Sequence, residues 1–374
     1  MTRWRFVWLA AVVAAVGIGM LLRLQQNGLP PTPPAASAAA ILANTPVDAG
    51  ATLSARAPGF TLVDQYGQTV TLGQFRGKIV VLAFVDSQCT TICPLTTQSM
   101  VDAERMLGPK AASHTVLLGI DANPIATSVA DVRQFSQEHG LMNRWLFLTG
   151  SRSDLGRIWK AYGIYVAVTH GQIDHTPALY VIAPDGRERW VAQTTMEYRA
   201  VDTEALVLAQ VVQGLLPSRL RTALPRLTVP PPPASPTVVL PGLTAAGLRG
   251  RVALGGHGAT LVVFVASWAP DLVSEWQDLA ASERTHPGVR VVLVDIGTVE
   301  PHPGTFTRWM AAHPGLPPLP VAFDATGQVA DALGAQNVPE SVLLGKDGHV
   351  LWQSETWPTT SDWKVIQGRL AGGG

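Results

Sequence analysis

The sequence predicts an α/β protein, two tandem domains of one architecture behind an N-terminal transmembrane helix. Three observations predict this. Residues 6–22 form an uncharged run of seventeen, bounded by Arg5 and Arg23. Proline-rich stretches at 28–50 and 216–242 punctuate the chain. Between and after them, unbroken β-branched runs alternate twice with helical patterns, the signature of a largely parallel sheet. The expected divisions are a membrane anchor at 1–27, a Pro/Ala-rich spacer at 28–50, a first domain at 51–215, a linker at 216–242 and a second domain at 243–374.

Seventeen residues is short for a spanning helix and long for the apolar part of a cleaved signal. Arg3, Arg5 and the terminal amine precede the run, so the start of the chain is expected in the cytoplasm and the rest outside. The small residues Ala35–Ala40 stand far behind the run and after a proline cluster, so an uncleaved, single-pass anchor in the cytoplasmic membrane is expected over a cleaved signal. The 374 residues carry 27 basic and 27 acidic side chains, a balance unsuited to neutralising phosphates, so no nucleic-acid partner is expected. The hydrophobic share of 47% is enough for packed cores.

In the first domain, 60–72 reads as two short strands about a turn at Gly67. Ile79–Val85 is a strand buried on both faces. A helix is expected over 95–107, a strand over 115–120, a helix over 129–138, a strand over 145–148 and a helix over 153–162. Ala178–Ile182 is a further strand, followed by a turn at Pro184-Asp185-Gly186 and a closing helix near 202–213. The Pro230–Pro233 run favours an extended polyproline linker. The second domain repeats the order: strand 259–265, helix 271–283, strand 289–295, helix 305–313, then short strands at 321–323, 341–344 and 350–352.

The chemistry concentrates at the two cysteines, Cys89 and Cys93, in Cys89-Thr-Thr-Ile-Cys93-Pro94. They lie between a buried strand and a helix, where N–H groups at the helix start favour a thiolate. A thiolate is both the nucleophile of disulfide exchange and a soft ligand for copper(I). Pro94 suits the first helical turn. Three intervening residues make a wider loop than the usual two of redox pairs, able to place both sulfurs on one ion. A plain disulfide or a pair of inert buried thiols remain as alternatives. Two thiolates leave a shell incomplete, and the candidate third ligand is His175, just before the strand at Ala178; His170 is the runner-up. In a thioredoxin-like sheet the loop before that strand packs beside the cysteine loop.

Over residues 56–213 the chain resembles the Sco/SenC family of membrane-anchored copper chaperones. The matching features are Pro58-Gly59-Phe60-Thr61-Leu62, Gly77-Lys78, Cys89-x3-Cys93-Pro94, Trp145-Leu146-Phe147-Leu148-Thr149-Gly150, Tyr162-Gly163, Asp174-His175 and Pro184-Asp185-Gly186. The family's Asp-Pro-x-x-Asp-Thr stretch is here Asp121-Ala-Asn-Pro124-Ile-Ala-Thr127, and Asp86-Ser87-Gln88 is an unusual lead-in to the first cysteine. The resemblance implies a thioredoxin-like fold, copper bound by Cys89, Cys93 and His175, and delivery to the copper-bearing subunit of cytochrome c oxidase or another copper protein. It also admits thiol–disulfide reduction, with Cys89 and Cys93 as the reacting pair. A thiol peroxidase would keep Thr-x-x-Cys with a nearby arginine, which is not evident. The second domain resembles the TlpA-like periplasmic thioredoxins, with Ala269 and Leu272 where those carry cysteines and Val338-Pro339 where they keep a cis-proline. It is expected to bind or space rather than to exchange disulfides, with Trp268, Trp276 and Trp309 in its core or lining a groove.

Overall fold

Val, Ile and Phe dominate 79–85, and every residue of that segment is buried, as in a strand covered on both faces. A computed structural model describes residues 47–226, 238–256 and 258–371. The expected anchor at 1–27, most of the first spacer and Pro230–Pro233 lie outside them. Among the described residues no helix is long and apolar enough to cross a membrane. The described residues divide into two compact units, one of 47–89, 99–195 and 203–226, the other of 90–98, 196–202, 238–256 and 258–371.

Up to residue 226 the strands are β1 (Ala51–Thr52), β2 (Thr61–Val63), β3 (Thr69–Thr71), β4 (Ile79–Val85), β5 (Thr115–Asp121), β6 (Leu146–Leu148), β7 (Val166–Thr169), β8 (Gln172–His175), β9 (Ala178–Ile182) and β10 (Glu188–Gln193). The helices are α1 (Ile92–Ala112), α2 (Val129–Glu138), α3 (Arg152–Tyr162) and α4 (Val201–Leu215). Six strands form one sheet in the order β1-β10-β9-β4-β5-β6, mixed in sense: β4, β5 and β6 run parallel, β9 runs against β4, and β10 and β1 continue antiparallel. One face buries Leu82, Phe84, Leu118 and Ile120 against Leu155, Ile158, Trp159 and Tyr162 of α3. α1 runs longer than the expected 95–107 and is broken at Gly108, whose φ of 76° leaves the helical region, so that Pro109 restarts it. Two antiparallel ribbons stand apart from the sheet, β2–β3 and β7–β8.

After residue 238 the strands are β11 (Val239–Thr244), β12 (Gly247–Ala253), β13 (Ala259–Val265), β14 (Val289–Ile296), β15 (Val321–Asp324), β16 (Glu340–Leu344) and β17 (Val350–Ser354). The helices are α5 (Leu272–Thr285), α6 (Thr305–Ala312), α7 (Gln328–Ala332) and α8 (Thr360–Ala371). The sheet order is β12-β11-β15-β14-β13-β16-β17, with β13, β14 and β15 parallel and β16 and β17 antiparallel. Its stretch β15-β14-β13-β16-β17 reproduces, in order and sense, the stretch β6-β5-β4-β9-β10 of the first sheet. β11 starts at Val239, so the linker expected to reach residue 242 gives way to a strand before its end. The Val338–Pro339 peptide is cis. Trp268 and Trp276 are buried, and Trp309 is partly buried against the same core.

Candidate metal centre

β4 hands the chain to Asp86, and this carboxylate sets the root of the cysteine loop. It accepts hydrogen bonds from Gln88 N at 2.9 Å and from Asn123 Nδ2 at 2.7 Å. The Asp86 carbonyl accepts from Cys89 N at 3.2 Å, and Ala122 N donates to Val85 O at 2.8 Å. The Gln88 and Cys89 contacts are local turns that compete with strand continuation; those of Asn123 and Ala122 tie the loop to the segment after β5. Ser87 Oγ adds a bond to Ala126 O at 3.1 Å.

Cys89 is half-buried in this loop. Cys93 is the second residue of α1 and is buried. Helix-start N–H groups lack carbonyl partners within the helix and favour negative charge nearby. Thr96 and Thr97 turn their hydroxyls back to Ile92 O and Pro94 O, at 3.0 and 3.1 Å.

His175 ends β8, paired with Val166 of β7. Antiparallel pairing of β4 with β9 sets Ala83 opposite Leu179. The Asp86 carboxylate acts on the His175 ring, so His175 lies within electrostatic reach of the root of the cysteine loop. The ring Nδ1 lies 3.2 Å from Thr176 O. A carbonyl only accepts, so Nδ1 carries the hydrogen and Nε2 keeps its lone pair, the arrangement a metal-ligating histidine uses. Burial lowers the His175 pKa below its ordinary value, while the Thr176 hydrogen bond and the Asp86 and Asp174 carboxylates oppose that shift. The balance favours the neutral ring, the form that binds metals.

His170 occupies the exposed tip of the β7–β8 ribbon, at the opposite end from His175, with a φ of 53° that makes the turn together with Gly171. Among the described residues no three His, Cys, Asp or Glu side chains are grouped so that they could hold a metal ion. Cys89, Cys93 and His175 therefore do not form a preassembled ligand cage.

Asp121 and Asn123 are contributors that sequence reasoning missed. Asn123 is fully buried, donates to Asp86, and accepts from Ile125 N and Ala126 N at 2.9 Å each. Asp121 accepts from Asn123 N at 3.0 Å and, at a long 3.4 Å, from Thr149 Oγ1. Burial raises the Asp121 pKa well above its ordinary value; hydrogen bonds to Asn123, Ser87 and Thr149 oppose this, and the nearby Asp86 adds to it. The signal was present as the polar stretch Asp121–Thr127 directly after a buried strand.

In the second unit, Ser267 donates its N–H and its hydroxyl to the Glu300 carboxylate at 2.6 and 2.7 Å, and Trp268 Nε1 donates to Val299 O at 3.0 Å. Ala269 and Leu272 follow, both buried. Neither side chain can act as a nucleophile or as a metal ligand.

The SCO1/SenC family model matches residues 50–209. Over 134 residues, 34% of this chain, the sequence is 29% identical to the SCO1 protein homolog of Bacillus subtilis, covering 68% of that protein. It is equally similar to the mitochondrial SCO2 homolog of Bos taurus, of which it spans about half, 50%. Among solved structures, Arabidopsis thaliana ScoI with copper bound is 21% identical, with a TM-score of 0.38, over 43% of this chain and 99% of that one. Across residues 50–209 this chain is thus similar to the SCO1/SenC family.

Proposed function

We propose that the chain is a membrane-anchored copper chaperone serving the copper centre of a respiratory cytochrome c oxidase. The observation that supports the reading is the His175 ring within electrostatic reach of Asp86, the residue that roots the loop bearing Cys89 and Cys93. Two thiolates and one neutral imidazole are a soft donor set suited to copper(I), and copper is cargo here, taken up and passed on by ligand exchange. Loading draws the three side chains together from their separate positions. The Asp86–Asn123 contact fixes the root of the loop while the Thr90–Ile92 segment adjusts. The match to the SCO1/SenC family model supports the same reading, as does the description of a Stutzerimonas stutzeri relative, 26% identical, as a putative copper-binding protein. The thiol-free second domain serves as a binding or spacing module. The placement of Cys93 in the first turn of α1 favours a second use of the pair, reduction of the acceptor's cysteines before the copper transfer.

The test is copper(I) titration of the reduced, purified full chain. We expect about one copper per chain, lost in Cys89→Ser and Cys93→Ser, and weakened about tenfold or more in His175→Ala with the fold intact, since losing one soft-site ligand costs at least what a disturbed outer contact does. Undiminished affinity in His175→Ala would refute the ligand assignment.

A further inference from the structure

At the start of β4, away from the cysteine loop, lies a cavity of about 180 Å³. Its lining holds three cations, Arg56, Arg76 and Lys78, and no carboxylate. Leu72, Phe75 and Ile182 supply apolar wall. The cavity is formed by the β3–β4 connection and the β9–β10 turn. β4 has seven residues at about 3.3 Å each, so the cavity and the cysteine loop are roughly 20 Å apart along the strand.

Among the described residues none of the three cations makes an ion pair. The nearest acid in sequence, Asp185, is already engaged: its carboxylate accepts from Arg189 Nη2 at 2.9 Å and from Arg187 N at 3.0 Å. Arg76 is held in place, since its Nη1 donates to the Asp185 carbonyl and its guanidinium lies over Gly186. A Cβ at Gly186 would fall 2.4 Å from Arg76 Nη1, so the turn has room for the guanidinium only because residue 186 is glycine. Unneutralised positive charge beside an apolar wall raises the local potential for an anion, and a guanidinium presents a planar fork suited to an oxyanion.

We infer that this cavity binds a phosphate-type oxyanion, recognised by Arg56, Arg76 and Lys78, independently of the cysteine site. The same chemistry is offered by free phosphate and by the headgroup of an anionic phospholipid, and the apolar wall would take the start of an acyl-glycerol body in the second case.

The experiment is calorimetric titration of the purified full chain, in a neutral detergent, with inorganic phosphate and with dihexanoyl phosphatidic acid below its micellar concentration. We expect saturable binding that weakens about tenfold per charge removed in Arg76→Gln, Lys78→Gln and the double variant. Arg157→Gln, an exposed charge on α3, should bind as the parent does, and copper uptake should be the same in all four variants. Tighter binding of the phosphatidic acid than of phosphate identifies the lipid headgroup as the natural source; equal affinities identify the free anion. Absence of saturable binding of both probes overturns the inference, as does binding that Arg76→Gln and Lys78→Gln leave unchanged. Arg56→Gln provides an independent check at an exposed position should the double variant fold poorly.

Discussion

Glu204 shows how one buried acid imposes a pH dependence on the whole fold. It sits in α4, 4% exposed, and its Oε2 accepts from Thr195 N at 3.2 Å. Burial pushes its carboxyl up to about 8 from an ordinary value of 4.5, opposed by the hydrogen bonds from Thr195, Thr194 and Ser99 and reinforced by Asp48. Below the ordinary value both the folded and the unfolded chain hold the proton, and this contribution to stability is complete. Between the two values only the folded chain holds it, so stability falls by roughly 1.4 kcal/mol per pH unit and levels off above the folded value. Glu204→Gln keeps the shape and removes the titration. In denaturant melts the variant should gain a few kcal/mol over the parent at alkaline pH and nearly match it at pH values around the ordinary carboxylate range. Parallel stability–pH curves for variant and parent would refute the assignment.

The contacts of single elements decide how much of this structure could be read in advance. β5 carries Gly119 where Trp145 crosses it: a Cβ there would lie 2.5 Å from the indole, which is itself fixed by Nε1 donating to Ser136 Oγ at 3.1 Å. Gly119→Ala should cost about 1–3 kcal/mol by overpacking, seen as a lower denaturation midpoint, and Trp145→Leu should recover part of it in the double variant. β4, β5, β9, β13 and β14 were legible because their runs are predominantly apolar and largely buried, and α2 was legible because its polar and apolar positions alternate with helical period. The hairpins β7–β8 and β11–β12 were missed because β7 and β8 have no fully buried residue, β12 is mostly exposed, and Pro241 and Gly242 interrupt β11, so no continuous buried face marks them. His175 was picked from its distance to the next strand, and the structure adds that it ends a ribbon. Asp86 and Asn123 were illegible as partners because they stand 37 residues apart and meet only through the parallel pairing of β4 with β5.

At the scale of the whole chain, the reading requires the cysteines to face the outer side of the cytoplasmic membrane. The sequence argues for this through the basic residues ahead of Phe6 and the uncharged run behind them. A membrane-impermeant maleimide applied to reduced intact cells should label Cys89, the half-buried member of the pair, and the sequence has no cysteine beyond these two to confuse the signal. Labelling seen only after lysis would place them in the cytoplasm and remove the route to an oxidase. The recurrence of one strand order in both sheets, with thiols in one copy and Ala269 and Leu272 in the other, divides the roles. On the copper reading, the cysteine chemistry is assigned to the first copy.

The ribbon that ends in His175 has a consequence for timing. Cys93 is tied to a long helix and Cys89 to a loop rooted at a buried strand, whereas β7–β8 is a two-stranded ribbon outside the main sheet with no fully buried strand residue. Such a ribbon has little stability of its own, and its backbone bonds open at lower free energy than those of the core. On the copper reading, the imidazole is then the ligand that lets go first. The metal would remain on two sulfurs with one coordination position vacated toward the acceptor, so the order of bond breaking during hand-off is set by the unequal anchoring of the three donors.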